Sequence, residues 1–427
     1  MKALIIGAGI GGLATALRLH HAGVDCVVYE QSESVRELGL GINLLPNSVG
    51  ELAEVGLLDR LTDTGVATQE LRYAHRLGPE ILLRPCGLDA GFTMPMISIH
   101  RGRLQGLLFR AVRERLGPRA VRTGHRLTGF DAGEREVRAY FAAPDGTALD
   151  PVRGDVLVAA DGIHSTVRAA LSPAGGPLRW NGVTMWRGCA DWPVFGTGQS
   201  MLIAGGTAAK LVVYPIGAGR SPETRLTNWA ICIRTGRPGD PPPHRQDWSR
   251  RRSAADIAAY IQRFRTPFVD HAGLIRATGQ CFEFPMCDRD PLPSWTHGRV
   301  TLLGDAAHPM YPMGGNGAGQ AIMDAACLSR CLAAHADPEA ALRAYEGERL
   351  PVTSDVVLRS RAGGPESVID EVERRAPDGF SSLADVIDST NLENIVSDYA
   401  QASGQSAAER HSVDVMSQTS TRGGPDI

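Results

Sequence analysis

Over the first thirty positions the chain alternates between apolar runs and glycine. Residues 3–6 form a short β-favouring run, and Gly7, Gly9, Gly11 and Gly12 follow in the run GAGIGG. Leu13, Ala16 and Leu17 then recur at helical spacing, with His20 closing the stripe, and residues 24–29 make a second apolar run ending at Glu30. Spacing of three and four predicts a helix, and short unbroken runs bounded by glycine predict buried strands. Strand, glycine turn, helix, strand and acid in that order make a dinucleotide-binding unit. Gly7 permits the tight turn, Gly9 lets backbone approach a pyrophosphate, and Gly12 allows close helix–strand packing. The free N–H groups at the helix start, around Gly11, carry partial positive charge toward phosphates. Glu30, eighteen residues past Gly12, is placed to accept from ribose hydroxyls.

Two further strand-like runs, at residues 155–160 and 300–303, each lead into a short polar motif. Asp161-Gly162 follows the first; Gly304-Asp305 follows the second, with a glycine-rich turn before a helix beginning near Gln320. Between them, residues 176–280 hold β-rich stretches at 182–187, 209–215 and 227–234, a Pro-rich loop at 241–243, and an amphipathic helix over about 254–264. Arg250, Arg251 and Arg252 read as a solvated loop. From about residue 361 the pattern predicts one or two amphipathic helices. Residues 403–427 turn to Ser, Gln, Thr and Gly and read as a disordered tail.

Composition narrows the chemistry. The 427 residues carry 44 Lys+Arg against 47 Asp+Glu, a net charge of -3, which allows two or three domains and argues against a nucleic-acid partner. Lys2 and Lys210 are the only lysines, so there is no phosphate-binding GxxxxGK[ST] loop. The eight cysteines form no CxxC pair and no zinc spacing, so reduced thiols and no metal are expected. No apolar run approaches the roughly 18–20 residues that cross a bilayer, and the early glycines break what would otherwise resemble a signal peptide. A cytoplasmic protein without a membrane anchor is expected.

The three motifs GxGxxG, Asp161-Gly162 and Gly304-Asp305 occur in the order and at about the separations of the single-component FAD-dependent aromatic hydroxylases, the family of para-hydroxybenzoate hydroxylase. The chain resembles that family over roughly residues 1–360. Within it, segments 38–43, 98–102, 184–188, 288–293 and 310–314 are most similar to the phenazine carboxylate hydroxylases, which implies a polycyclic aromatic substrate. The resemblance implies an α/β fold: a discontinuous Rossmann-type FAD-binding domain (residues 1–70, 99–175 and 281–360), an inserted β-sheet substrate domain (71–98 and 176–280), and C-terminal helices (361–402).

It further implies FAD as cofactor, NADH or NADPH as a transiently bound co-substrate, and hydroxylation of a small aromatic substrate by molecular oxygen, with or without decarboxylation, in a monomer or homodimer. Asp305 resembles the residue that holds the ribityl chain, and Gly317 and Ala318 would offer N–H groups to the flavin's pyrimidine edge. Arg36 and Arg101 match arginines that reach the cofactor, with Gln105 one turn beyond Arg101. Gly41 falls in a flavin-facing segment, and Asp161 in the pyrophosphate region. Trp186, Tyr214, Trp229, Pro312 and Gly314 are expected to wall the substrate pocket. Tyr214 is the candidate catalytic residue, positioning or polarising the substrate. A flavin epoxidase or oxidase acting on a polyketide or terpenoid ring, or a flavin-binding accessory protein without turnover, remain as alternatives.

Overall fold

A computed structural model describes residues 1–388, except 36, 38 and 246–249, together with Leu392. The glycine-loop unit forms as its pattern dictates: strand Lys2–Ile6, helix Ile10–His21 and strand Asp25–Tyr29. The first strand is central in a five-stranded parallel sheet ordered Val300–Leu302, Val156–Ala159, Lys2–Ile6, Asp25–Tyr29, Val121–Arg122. Helices cover it, so its strands are apolar on both faces; Leu4, Val158 and Leu302 are fully buried. The chain leaves Lys2–Ile6 to one side and returns on the other, so the switch point lies between that strand and Val156–Ala159. Gly7 directly follows the first of those strands, and Asp161 follows the second after Ala160. A Cβ on Gly7 would lie 2.4 Å from the Ala160 carbonyl oxygen, and one on Gly12 would lie 2.0 Å from the Gly7 carbonyl oxygen. These two glycines are therefore required by the turn itself.

The middle of the chain forms an eight-stranded sheet ordered Arg251–Arg252, Cys281–Asp288, Arg179–Pro193, Thr224–Arg234, Ala209–Ala218, Ser200–Ala204, Glu70–Ala74, Glu80–Pro85. Both of its faces are covered. One packs Trp186, Leu211, Trp229 and Ile231 against the short helices Ala258–Ile261 and His271–Ala277. The other packs Tyr73, Met201, Ile203 and Tyr214 with Val368, Ile369 and Val372 of helix Ser367–Arg375. A small sheet of Gly41–Leu44, Met96–His100 and Val66–Thr68 joins the two large ones.

Several elements differ from the sequence pattern. The helix expected at 254–264 is a 3-10 turn, Ala255–Ile257, and a single α-turn, Ala258–Ile261. The sequence boundary at 281 assigns Cys281–Asp288 to the nucleotide half, yet this strand pairs with Arg179–Pro193 in the middle sheet. The arginine run is no solvated loop: Arg251–Arg252 is an edge strand, and Arg250 and Arg252 hold Glu283 at 2.9 and 2.8 Å. Helices Gly317–Ala334 and Pro338–Arg361 pack together, and helix Ser367–Arg375 follows. Residues 403–427, read as a tail, lie outside the described residues.

Candidate active site

One cavity of about 520 Å³ runs between the glycine loop and the middle sheet. Its nucleotide end is backbone-rich, built from Gly9, Ile10, Gly11, Gly41, Ala160, Gly162, Gly304, Gly317 and Ala318, with Arg101 and Asp305 as its charges. This end fits a dinucleotide for three reasons. Gly9 has extended backbone and nothing within 4 Å of where its Cβ would be, so its surface opens onto the space that a phosphate needs. Helix Gly317–Ala334 begins at the cavity wall without a side-chain cap, leaving the positive end of its dipole toward the cavity. Asp305 is exposed and borders the cavity; desolvation by the surrounding protein pushes its carboxyl up, and His308 and Arg101 oppose that.

Other residues singled out from the sequence support the loop from behind. Glu30 accepts from the Ala8 and Ser32 N–H groups, each at 2.8 Å. Gln105 donates to the Ala8 carbonyl at 2.7 Å, so it braces the glycine loop. Asp161 accepts from the Thr166 N–H at 2.8 Å at the start of helix Thr166–Leu171, while its Oδ1 is buried without a partner beside the loop. Arg36 lies outside the described residues.

The sheet end is walled by strand positions two apart, because alternate side chains share a face. Met185 and Arg187 face the cavity from Arg179–Pro193; Ala230 and Cys232 from Thr224–Arg234; Lys210, Val212 and Tyr214 from Ala209–Ala218; Met201 and Ile203 from Ser200–Ala204. Pro312 and Gly314 line it opposite. Trp186 and Trp229 do not, and the pocket assignment is corrected for both. Each falls on the other phase of its strand and faces the core behind the sheet. There Trp186 donates to Glu283 at 3.1 Å and Trp229 to Thr278 at 2.8 Å.

Tyr214 is buried at the cavity. Burial pushes its phenol up, and the Arg187 guanidinium hydrogen-bonded beside it pulls the other way. It is a neutral hydrogen-bonding group and no base. Arg187, which sequence reasoning passed over, also donates to the Gly41 carbonyl, and its Nε is buried without a partner. Its two-residue offset from Met185 on one strand was the signal available. Lys210 and Glu366, ion-paired at the cavity wall, were also missed. Outside the cavity, Cys327 and Cys331 meet Glu348 across two packed helices; burial holds both thiols protonated, and Cys327 donates to the carboxylate at 3.2 Å.

Comparison with known proteins agrees with this geometry. A family described as FAD binding domain matches residues 1–193 and 232–360. The phenazine 1,6-dicarboxylic acid hydroxylase of Lysobacter antibioticus is 40% identical over 368 residues, 84% of this chain and 88% of that protein. The 3-hydroxybenzoate 6-hydroxylase 1 of Aquipseudomonas alcaligenes is 33% identical over 366 residues, covering 84% and 87%. The crystal structure of Klebsiella pneumoniae HpxO complexed with FAD and uric acid superposes with a TM-score of 0.73 at 25% identity, covering 95% of each chain. No helix among the described residues is long and apolar enough to cross a membrane. A glycine loop open to phosphate, an aspartate and a bare helix start facing one cavity, and these relatives together make the chain a member of the FAD-binding aromatic hydroxylase family, a FAD-dependent monooxygenase using NAD(P)H.

Proposed function

We propose that this monooxygenase hydroxylates a fused aromatic carboxylate of the phenazine class, as a cytoplasmic monomer or homodimer acting without nucleic acid. The observation that carries the reading is the sheet end of the cavity: a largely apolar wall in which Met96, Met185, Met201 and Met286, four of the chain's ten methionines, border the space beyond the nucleotide end. Thioethers are polarisable and pack well against aromatic faces, so such a wall suits a flat polycycle. The relative from Lysobacter, which shares 40% identity, points to the same substrate class.

In the roles this implies, Gly9 and Gly11 would hold the pyrophosphate of FAD, Asp305 its ribityl hydroxyls, and the N–H groups of Gly317 and Ala318 its pyrimidine edge. Bound FAD supplies two-electron transfer from NAD(P)H and the activation of dioxygen. The protein's share is position and dryness. The methionine and aliphatic wall excludes water from the reacting ring, and Tyr214, kept neutral, fixes Arg187 at the Gly41 edge. For an unsubstituted position the sum is ArH + O2 + NAD(P)H + H+ giving ArOH + NAD(P)+ + H2O. Where the position carries a carboxylate, that group leaves as carbon dioxide and one more proton is taken up.

Purified protein should show a flavin spectrum. Phenazine-1-carboxylate should accelerate NADH or NADPH oxidation, with one atom of 18O from 18O2 appearing in the product's new hydroxyl group and the other in water. Bound flavin with no aromatic compound accelerating oxidation would leave the fold in place and remove the proposed reaction.

A further inference from the structure

The sheet end of the cavity holds a buried ion pair that the roles above leave unused. Lys210 is 4% exposed and Glu366, from the turn Gly364–Glu366, is 6% exposed; both border the cavity. The Lys210 ammonium donates to Glu366 Oε2 and, at 2.8 Å, to the Met313 thioether. Glu366 Oε1 accepts from the Gly314 N–H at 3.3 Å, which fixes the carboxylate against the turn opposite the sheet. Burial alone would lower the Lys210 pKa, but Glu366 reverses that and holds it raised, so the ammonium stays charged.

An ammonium has three donors, and a thioether is a weak acceptor. Glu366 takes one donor strongly and Met313 a second weakly, which leaves one donor on a side chain that borders the cavity. Charge decides what takes it. The pair is already neutral, so a second carboxylate at hydrogen-bond distance from Nζ would also stand close to Glu366. That repulsion cancels roughly half of the attraction, and the cost of desolvating the carboxylate opposes the rest. A neutral acceptor gains the charge-assisted hydrogen bond without adding charge. Arg187 is placed differently, against the Gly41 carbonyl and Tyr214 and close enough to Arg101 to lower its pKa.

We propose that Lys210 orients the aromatic substrate by donating a hydrogen bond from Nζ to a pyridine-type ring nitrogen, so that the cavity selects nitrogen heteroaromatics over carbocycles of the same shape. This rests on the aromatic hydroxylation proposed above. Lys210 is then a specificity-determining residue, Glu366 keeps it charged, and Gly314 keeps Glu366 in place.

The test compares two ligands alike in outline and charge, phenazine-1-carboxylate and anthracene-1-carboxylate. Each is titrated into the FAD-loaded protein and followed by the change in flavin absorption; quinoline and naphthalene carboxylates form a smaller pair. The wild type should bind the nitrogen-containing member about 10- to 100-fold more tightly. In K210M the preference should collapse to within about threefold, while K210R keeps part of it. The double variant K210M/E366Q, which leaves no buried carboxylate unpaired, should behave as K210M does. In E366Q the raised Lys210 pKa falls, so the preference should fade with rising pH over a range where the wild type is flat. Equal wild-type affinity for both members of a pair, or a preference that survives in K210M/E366Q, overturns the assignment. If neither pair binds or accelerates NAD(P)H oxidation while flavin is bound, the hydroxylation reading itself has failed.

Discussion

The turn Gly304–Ala306, which presents Asp305 to the cavity, is held from behind by Asp324, a fully buried carboxylate on helix Gly317–Ala334. Asp324 accepts from the Gly304 N–H at 3.0 Å, pairs with His308 Nε2 at 2.6 Å, and accepts from Arg349 Nε at 2.8 Å. Burial alone would raise its pKa, but His308 and Arg349 bring it down from 3.8 to about 2. A depressed carboxyl contributes stability that is complete above its ordinary pKa of 3.8 and is lost as pH falls through about 2. Asp324→Asn breaks a buried pair and should lower the unfolding free energy by about 3–5 kcal/mol. It should also remove this group's share of the acid-side loss between those two pH values. Denaturant unfolding of both proteins from pH 7 to pH 2 checks this: a constant difference across the acid range would mean that Asp324 carries no charge-linked stability. None of this was legible in the sequence. His308 follows the Gly304-Asp305 motif by three residues in sequence, but its partner lies sixteen residues further on, on a helix whose pattern shows only its apolar stripe.

At the level of elements, local signals were readable and facing was not. The glycine-loop unit came through whole because each of its parts is specified within a few residues. The middle strands were also visible as β-favouring runs, though each extends further than its apolar core: 179–193, 209–218 and 224–234. Which side of those strands meets the cavity was hidden because both sides are buried. Ser200–Ala204 has no exposed position at all, and Thr224–Arg234 is buried over seven consecutive residues. In such a sheet, large aromatics attract attention whichever way they point. Trp186 and Trp229 took the place of their neighbours Arg187 and Ala230, one residue out of phase. A consequence follows for Trp229, which is fully buried and donates to Thr278. Trp229→Ala should cost about 3–5 kcal/mol of stability while leaving the affinity of the folded enzyme for an aromatic carboxylate within about threefold. Thermal unfolding and a ligand titration on the same sample decide it; a large loss of affinity in folded protein would return Trp229 to the pocket wall.

Across the whole molecule, the cavity is lined by stretches far apart in sequence, among them the glycine loop, the middle sheet, residues 303–321 and the segment after residue 361. That last segment docks through Glu366 on Lys210, Glu373 on Arg76 at 2.9 Å, and Asp370, which accepts from Thr207 N–H and Oγ1 at 2.7 and 2.6 Å. Its apolar face, Val368, Ile369 and Val372, was legible as an amphipathic helix, whereas its partners on the sheet were not, since nothing local couples residues 370 and 207. Asp370→Ala removes two charge-assisted bonds, each worth about 1.5–3 kcal/mol. It should raise the rate of proteolysis beyond residue 361 without lowering flavin occupancy. Unchanged cleavage would show that the apolar face alone holds the segment. The lysine distribution has a separate, practical outcome. Of the two lysines in the sequence, Lys210 is buried in the cavity wall and Lys2 is exposed, so Lys2 is the one open to a reagent in the folded protein. Lys2 sits at the start of strand Lys2–Ile6, and at about 3.3 Å per residue the glycine-loop end of that strand is a full strand length away. A reagent coupling to lysine would therefore attach at the end of strand Lys2–Ile6 away from the glycine loop, and Lys210 becoming reactive would report that the cavity wall has come apart.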